Sequence, residues 1–330
     1  MKTSALQLLA VFGTATLRSG CSSSPTEPHV FRVNAVDSIA LGGTPFAVAI
    51  SPVGITYVTQ SAAGSAARAN QPSPPFSQLV PVGPLPSQVR MSPDGQTAYV
   101  SNQDAGTVTI VDVAQNQPVD TVVVPAGSIL TIGLSPDGGR VYALTDYFGV
   151  YVIDARRRTV IDSIRATATG QLLTGVAFHP ALPLMYVAAR DAGTVTVIDT
   201  RADTVVKTYA VSGGRIQNVA IARDGSELYG TDIQRSGLVI WNLASGSTSY
   251  VELLIGSGQV RNAFDVAVTP DNASLLVSTL ADGKVYVLNR ATRSVVDSIR
   301  TGGSPRYIGL DSDGANAVIP NESGWVNFVR

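Results

Sequence analysis

Side chains able to do chemistry are few in this chain, and their spacing limits what that chemistry can be. Its two histidines, His29 and His179, stand far apart, and Cys21 is the only cysteine. No histidine–cysteine cluster with metal-ligand spacing occurs, and neither does C-x-x-C-H for covalent haem or a G-x-S-x-G nucleophile elbow. No metal site and no cofactor is expected. Charge recurs instead. Acidic residues return at Asp104, Asp146, Asp191, Asp232, Asp282 and Glu322, several just before a glycine, as in DAG and ADG. Such residues suit tight turns, and on one face of a molecule they would also form a ring able to gather cations. Arginines recur at Arg215 (SGGRIQN), Arg261 (SGQVRNAFD) and Arg306 (GGSPRYI), with Asn218, Asp265 and Tyr307 just beyond them. Converging guanidiniums bind carboxylate or phosphate through paired N–H groups, and separate ones are solvated surface charge.

The elements that must position these residues follow from an internal repeat. AYVSNQDAGTVTIVD, starting at Ala98, returns almost unchanged as MYVAARDAGTVTVID, starting at Met185. The turn S-P-D-G at Ser92 and Ser135 has degenerate copies at Ser51, His179, Ala222, Thr269 and Asp311, so seven units succeed one another every 41 to 47 residues. His179 takes the place of the turn serine. Each unit holds four short runs, such as SQVRMS, TAYVSN, GTVTIVDV and PVDTVVVP, whose apolar residues alternate with period two and lack a helical stripe. Four-stranded units at this period are the mark of propeller blades around a central axis. The expected fold is therefore all-β: a seven-bladed β-propeller of four-stranded antiparallel blades spanning residues 33–330.

Two details sharpen that expectation. Three positions before the second residue of each turn stand Ala49, Arg90, Gly133, Ala177, Ala220, Ala267 and Gly309, flanked by bulky residues. Small alternating with large suits the innermost strand, where blades converge. Arg90 breaks the rule, and it needs channel water or an acidic partner, because a buried unpaired guanidinium costs several kcal/mol. The last unit stops at GWVNFVR without a fourth run, while VNAVDSIALGG (Val33–Gly43) reads like the fourth runs of other units. The N-terminal strand is thus expected to complete the last blade and close the ring, removing an open edge.

Composition agrees. Of 330 residues 45% are apolar and 14% charged, with 31 Gly and 19 Pro, as strands joined by tight turns require. Length alone suggests two domains, but stacked repeats share one body. A net charge of -1 offers no field for phosphate backbones, so nucleic acid is not an expected partner. Residues 1–20 carry Lys2 and an apolar run from about Ser4 to Leu17, the pattern of a signal peptide. Ser19, Gly20 and Cys21 resemble a bacterial lipobox, although Arg18 stands where an aliphatic residue is usual. Lipidation at Cys21, a polar spacer over 21–32, export to the cell envelope and a membrane contact through the lipid anchor alone are the expectations, with ordinary leader cleavage the alternative.

The runs AYVSNQDAGTVTIVD and MYVAARDAGTVTVID, together with VVDSIRTGGSP, resemble the YVTN family of β-propeller repeats found in bacterial and archaeal envelope proteins. No unit carries the Gly-His and Trp-Asp pairs of WD repeats. The resemblance implies a secreted or lipid-anchored propeller. Three readings of function stay open: a monomeric, non-catalytic propeller binding an envelope protein or small anionic ligand on its loop-rich face through Arg90, Arg215, Arg261 and Arg306; a lactonase-like hydrolase acting on a sugar-acid lactone; and a structural surface-layer or matrix component.

Overall fold

The computed structural model describes residue 31 and residues 36–70, 75–76, 78–125, 127–146, 149–166, 171–255, 258–259 and 262–330. Seven four-stranded antiparallel sheets follow one another as blades. Blade 1 runs from Pro45 to Pro81, blade 2 from Pro86 to Val123, blade 3 from Ile129 to Ile164 and blade 4 from Leu173 to Ala210; blade 5 spans Ile216 to Glu252 and blade 6 Ala263 to Arg300. Blade 7 combines Gly309–Leu310, Ala317–Asn321 and Trp325–Val329 with Val36–Ala40. The N-terminal strand pairs antiparallel from Val36 opposite Val329 to Ala40 opposite Trp325, which closes the ring as the repeat predicts.

The repeated residues have separable jobs. In the S-P-D-G turn of blade 2, Ser92 Oγ accepts the N–H of Thr97 at 2.9 Å and Asp94 accepts that of Gln96 at 3.0 Å. Gly95 there adopts φ +69°, a conformation that costs glycine little. In blade 4, His179 Nδ1 takes over as acceptor, from the N–H groups of Ala181 (3.1 Å) and Leu182 (3.0 Å). The tyrosines of the second strands, among them Tyr57, Tyr142 and Tyr229, are fully buried between neighbouring sheets. Each such burial contributes roughly 1.5–3 kcal/mol.

The next repeated residues hold blade to blade. In six of the seven blades the first strand shifts register near its start, between Pro86 and Gln88 in blade 2 and between Ala263 and Val266 in blade 6, for example. A bulge frees backbone N–H groups from the ladder. A second-strand hydroxyl takes them up: Thr59 accepts from Ala47 (2.9 Å), Thr231 from Asn218 (3.0 Å) and Ser278 from Asp265 (3.1 Å). Thr231 and Ser278 then donate to the carbonyls of Phe264 (3.0 Å) and Arg306 (2.6 Å), each in the loop or strand of the following blade. One residue further on, Asn102 and Asn321 accept from Gly83 and Ser304 (both 2.9 Å), tying down the loops between blades.

Small inner residues are required by the taper. A Cβ on Gly133 would lie 2.8 Å from Phe178 and 3.0 Å from Val176 of the next blade, and one on Gly309 would lie 3.0 Å from Val48 of blade 1. The apolar core is accordingly a ring of clusters between adjacent blades.

Two features depart from expectation. The run PRYIGL forms a regular strand only at Gly309–Leu310, with Pro305 bridging to Asn321. Proline has no N–H to pair, and the N–H of Ile308 is bound by Asp265 instead of the ladder. In the longest connection, between blades 5 and 6, Leu254–Ile255 and Gly258–Gln259 pair as a separate two-stranded sheet.

Candidate binding site at the channel mouth

Two residues before each small inner position stand Ala47, Gln88, Thr131, Gly175, Asn218 and Asp265 in the first strands of blades 1 to 6 and Tyr307 just ahead of that of blade 7. These form a largely polar ring around the axis. Gln88 donates to Thr131 Oγ1 at 3.4 Å, and its amide oxygen accepts from Val89 N–H at 3.0 Å. Asn218 holds the same posture, accepting from Val219 at 2.9 Å and donating to Asp265. Gly175 is obligatory between them, since a Cβ there would lie 2.6 Å from Asn218 Oδ1 and 2.7 Å from its Cα.

Asp265 is the ring's charge. It is 5% exposed and also accepts the N–H of Ile308 at 2.8 Å. Burial pushes its carboxyl up to about 6, against the opposing pull of the Ile308 N–H, the Arg90 charge and the Asn218 amide. Tyr307 is pushed up to about 12, mainly by burial and next by Asp265, and its phenol interacts with Thr131 of blade 3. Arg90 starts two residues beyond Gln88, about 7 Å further along its strand. Its Nη1 donates to the carbonyl of Val89 at 3.2 Å. Burial holds the guanidinium below its usual value, while Tyr307 and Asp265 act the other way. Arg90 and Asp265 thus complement each other's charge through the field without a direct ion pair among the described contacts.

Above the ring opens a cavity of about 390 Å³, to which all seven blades contribute. Its two sides differ in chemistry. From blades 6, 7 and 1 come Phe264, Tyr307 and Phe46, packed edge to face with centroids 5.4 to 6.3 Å apart. The Arg306 guanidinium lies 4.6 Å from the Phe264 ring centre and 5.3 Å from that of Phe46, and it pairs with Glu322. Its Nε is buried without a hydrogen-bond partner. From blades 3, 4 and 5 come Asp146, Thr174, Arg190 and Gln217. Arg190 reaches Asp191 at 3.3 Å and Gln217 at 3.5 Å. Asp146 has one buried carboxylate oxygen with no partner, and burial raises its pKa although Ser128 engages the carboxyl.

Of the four arginines predicted as a cluster, the three among the described residues stand at different depths. Arg306 lines the mouth, Arg215 pairs with Asp191 in the blade 4 hairpin beside it, and Arg90 lies deeper in the channel. Arg261 and Cys21 lie outside the described residues. The recurrent acids are largely committed to their own turns and to arginines: Asp232 accepts from the N–H groups of Gln234 and Arg235 (3.1 Å each), and Glu322 holds Arg306. Among the described residues no group of three metal-ligating side chains is assembled. Sequence reasoning missed Phe46, Phe264, Arg190 and the free oxygen of Asp146. The ring itself was within reach, because polar residues recur at one offset in strands that are otherwise apolar.

No family model matches the chain. Among curated proteins it is similar to the uncharacterized protein YncE of Salmonella typhimurium (strain LT2), at 29% identity over 160 residues, covering 47% of this chain and 43% of that protein. The match therefore spans less than half of that relative's length. Among solved structures, a chain of Kuenenia stuttgartiensis hydrazine synthase superposes with a TM-score of 0.81 over 88% of this chain and 96% of its own, at 19% identity. At that identity the likeness is one of fold. The chain is an all-β, seven-bladed propeller repeat protein, an architecture used by binding scaffolds and by enzymes.

Proposed function

We propose that the protein is an exported, lipid-anchored propeller of the YVTN type that acts as a monomer in the cell envelope and binds a small anionic ligand at its channel mouth. The observation that carries this reading is the cavity to which every blade contributes, with the guanidiniums of Arg190 and Arg306 on its walls and a buried polar ring beneath it. Arg215 adds positive charge at the rim. A pocket of this size on a rigid scaffold, lined by aromatic rings and a few placed polar groups, is the ordinary form of a ligand site.

The ring also suggests an orientation. Ala40 pairs with Trp325 next to the hairpin of Glu322, on the mouth side, whereas Val36 pairs with Val329 at the opposite end, and Phe31 bonds Ser274 at 3.0 Å. An anchor at Cys21 would therefore hold the domain with its mouth directed away from the membrane. Detergent partitioning tests the anchor: wild type is expected in the detergent phase and Cys21→Ala in the aqueous phase, and equal partitioning overturns it.

The mouth is tested by calorimetry and thermal shift with gluconate, 3-phenylpropionate and inorganic phosphate. At least one is expected to bind wild type and to lose tenfold or more in the Arg190→Gln, Arg306→Gln double variant, and silence from all three overturns the reading. Turnover of gluconolactone abolished by Asp146→Asn would assign the mouth to hydrolysis. An envelope protein captured equally by wild type and the double variant would move the function off the mouth.

A further inference from the structure

The two walls of the mouth ask for different things of one molecule. On the blade 3–5 side, a carboxylate and a guanidinium face the same cavity from adjacent blades: Asp146, with an unpartnered buried oxygen, and Arg190, whose known partners occupy only part of its N–H set. An oxygen that is buried and unpaired gains a hydrogen bond when a donor arrives, and a charged donor makes that bond stronger. On the blade 6–7–1 side, the edge-to-face rings of Phe46, Phe264 and Tyr307 offer an apolar wall. Arg306 there pairs with Glu322 and stacks on two of the rings, with its Nε unpartnered, so it joins the apolar wall and adds to the positive charge that Arg190 presents across the cavity. Below, the saturated ring of Gln88, Thr131, Asn218, Asp265 and Tyr307 closes the pocket with groups bonded to one another.

From this division, and resting on the reading of the mouth as a small-ligand site, we infer that the pocket is built for an amphoteric molecule, an α-amino acid with an apolar side chain. Its ammonium group donates to Asp146, its carboxylate accepts from Arg190 with Gln217 alongside, and its side chain packs against the aromatic wall. A simple anion satisfies Arg190 and leaves the buried Asp146 oxygen unpaired and the carboxylate electrostatically opposed to it. A simple amine does the reverse. A ligand with both charges borne on one carbon presents an ammonium to one blade and a carboxylate to the next, and Asp146 and Arg190 line the cavity from neighbouring hairpins.

Calorimetry on the full-length protein in detergent distinguishes these cases with three probes: phenylalanine, 3-phenylpropionate, which lacks the amine, and 2-phenylethylamine, which lacks the carboxylate. Phenylalanine is expected to bind at least tenfold more tightly than either fragment. Asp146→Asn, close to isosteric, is expected to abolish the preference for phenylalanine, weakening phenylalanine by tenfold or more and, by removing the opposed charge, tightening 3-phenylpropionate. A melting curve for Asp146→Asn that overlays wild type confirms that the loss is local. Equal binding of phenylalanine and 3-phenylpropionate, or an Asp146→Asn variant that keeps the preference, overturns the amphoteric assignment and leaves the anionic reading standing. Absence of binding by any probe, with gluconate and phosphate also silent, overturns both.

Discussion

Asp265 is held where burial opposes its charge, and this has a measurable consequence. Its carboxyl is pushed up to about 6, so in the folded state it keeps its proton at pH values where the unfolded chain has lost it. Stability linked to this group is therefore complete below about pH 4 and falls as pH rises through 6, in total by about 3 kcal/mol. Other carboxylates, such as Asp224, held down at about 2 with Ser226, Arg290 and Asn272 as favourable partners, act in the opposite sense at lower pH. The difference between wild type and Asp265→Asn isolates the one group: their melting temperatures are expected to converge below pH 4 and to separate between pH 4 and 6, with wild type falling relative to the variant. Arg90→Ala, which places at blade 2 the residue found in blades 1, 4, 5 and 6, removes the favourable field on Asp265, so the separation still begins near pH 4 but extends to higher pH. Curves that stay parallel across the window would contradict the assignment. At this scale the sequence was partly readable. Arg90 stood out as a charge in a row of small residues, but Asp265 was visible only as one of the residues just beyond the loop arginines, because its desolvation depends on the following blade, which supplies Ile308. Phe46 and Phe264 carried no signal, since nothing in a single strand says that an aromatic side chain faces a channel.

Strands and turns were the most legible level, for a physical reason. The period-two pattern and the S-P-D-G turn are local, and the same local chemistry recurs seven times. What the pattern could not show was the bulge near the start of the first strands, which depends on pairing with the second strand. The hydroxyls that serve these bulges provide a test. Thr231 accepts from Asn218 N–H and donates to the carbonyl of Phe264, joining blade 5 to blade 6. Thr231→Val keeps the shape and strands both buried groups, so a loss of about 1–3 kcal/mol is expected by denaturant unfolding. Gly175→Ala tests the same level by volume: its new methyl meets the backbone and amide of Asn218, and overpacking of this kind costs roughly 1–3 kcal/mol. Both variants should also weaken ligand binding, because each disturbs Asn218 beneath the mouth. A Gly175→Ala protein as stable as wild type would show that blades 4 and 5 can separate there without cost. The shortened inner strand of blade 7 was not legible for the same reason as the bulges, since Asp265 removes the Ile308 N–H from the ladder across a blade boundary.

On the scale of the whole molecule, the ring is held shut by the least regular of its seven sheets. Blade 7 has only Gly309–Leu310 as its inner strand, and its outer strand comes from the other end of the chain. The closure was legible because VDSIA echoes the fourth strands of other blades, as in VVDSIR, and a strand sequence without a partner nearby must find one elsewhere. Its contacts are specific: five residue pairs from Val36 to Ala40, the Asn327 amide donating to Ser38 Oγ at 2.7 Å, an ion pair between Arg330 and Asp37, and the N–H of Leu41 on the Gly324 carbonyl at 3.0 Å. Just ahead of the strand, Phe31 is buried among Leu276, Val285 and Ile319, so the chain also wedges between blades 6 and 7. Removing residues 1–43 opens an edge along Trp325–Val329 and exposes that cluster together. Removing residues 1–28 leaves every one of these contacts in place. The expected order of thermal stability is therefore wild type close to the shorter truncation, with the longer truncation far below and prone to associate through its bare strand. Phe31→Ala should fall between them, with a loss of about 3–5 kcal/mol if the site does not collapse. If both truncations melted together, blade 7 would be stable without its borrowed strand, and the ring would owe its integrity to the clusters between blades rather than to the joining of its ends.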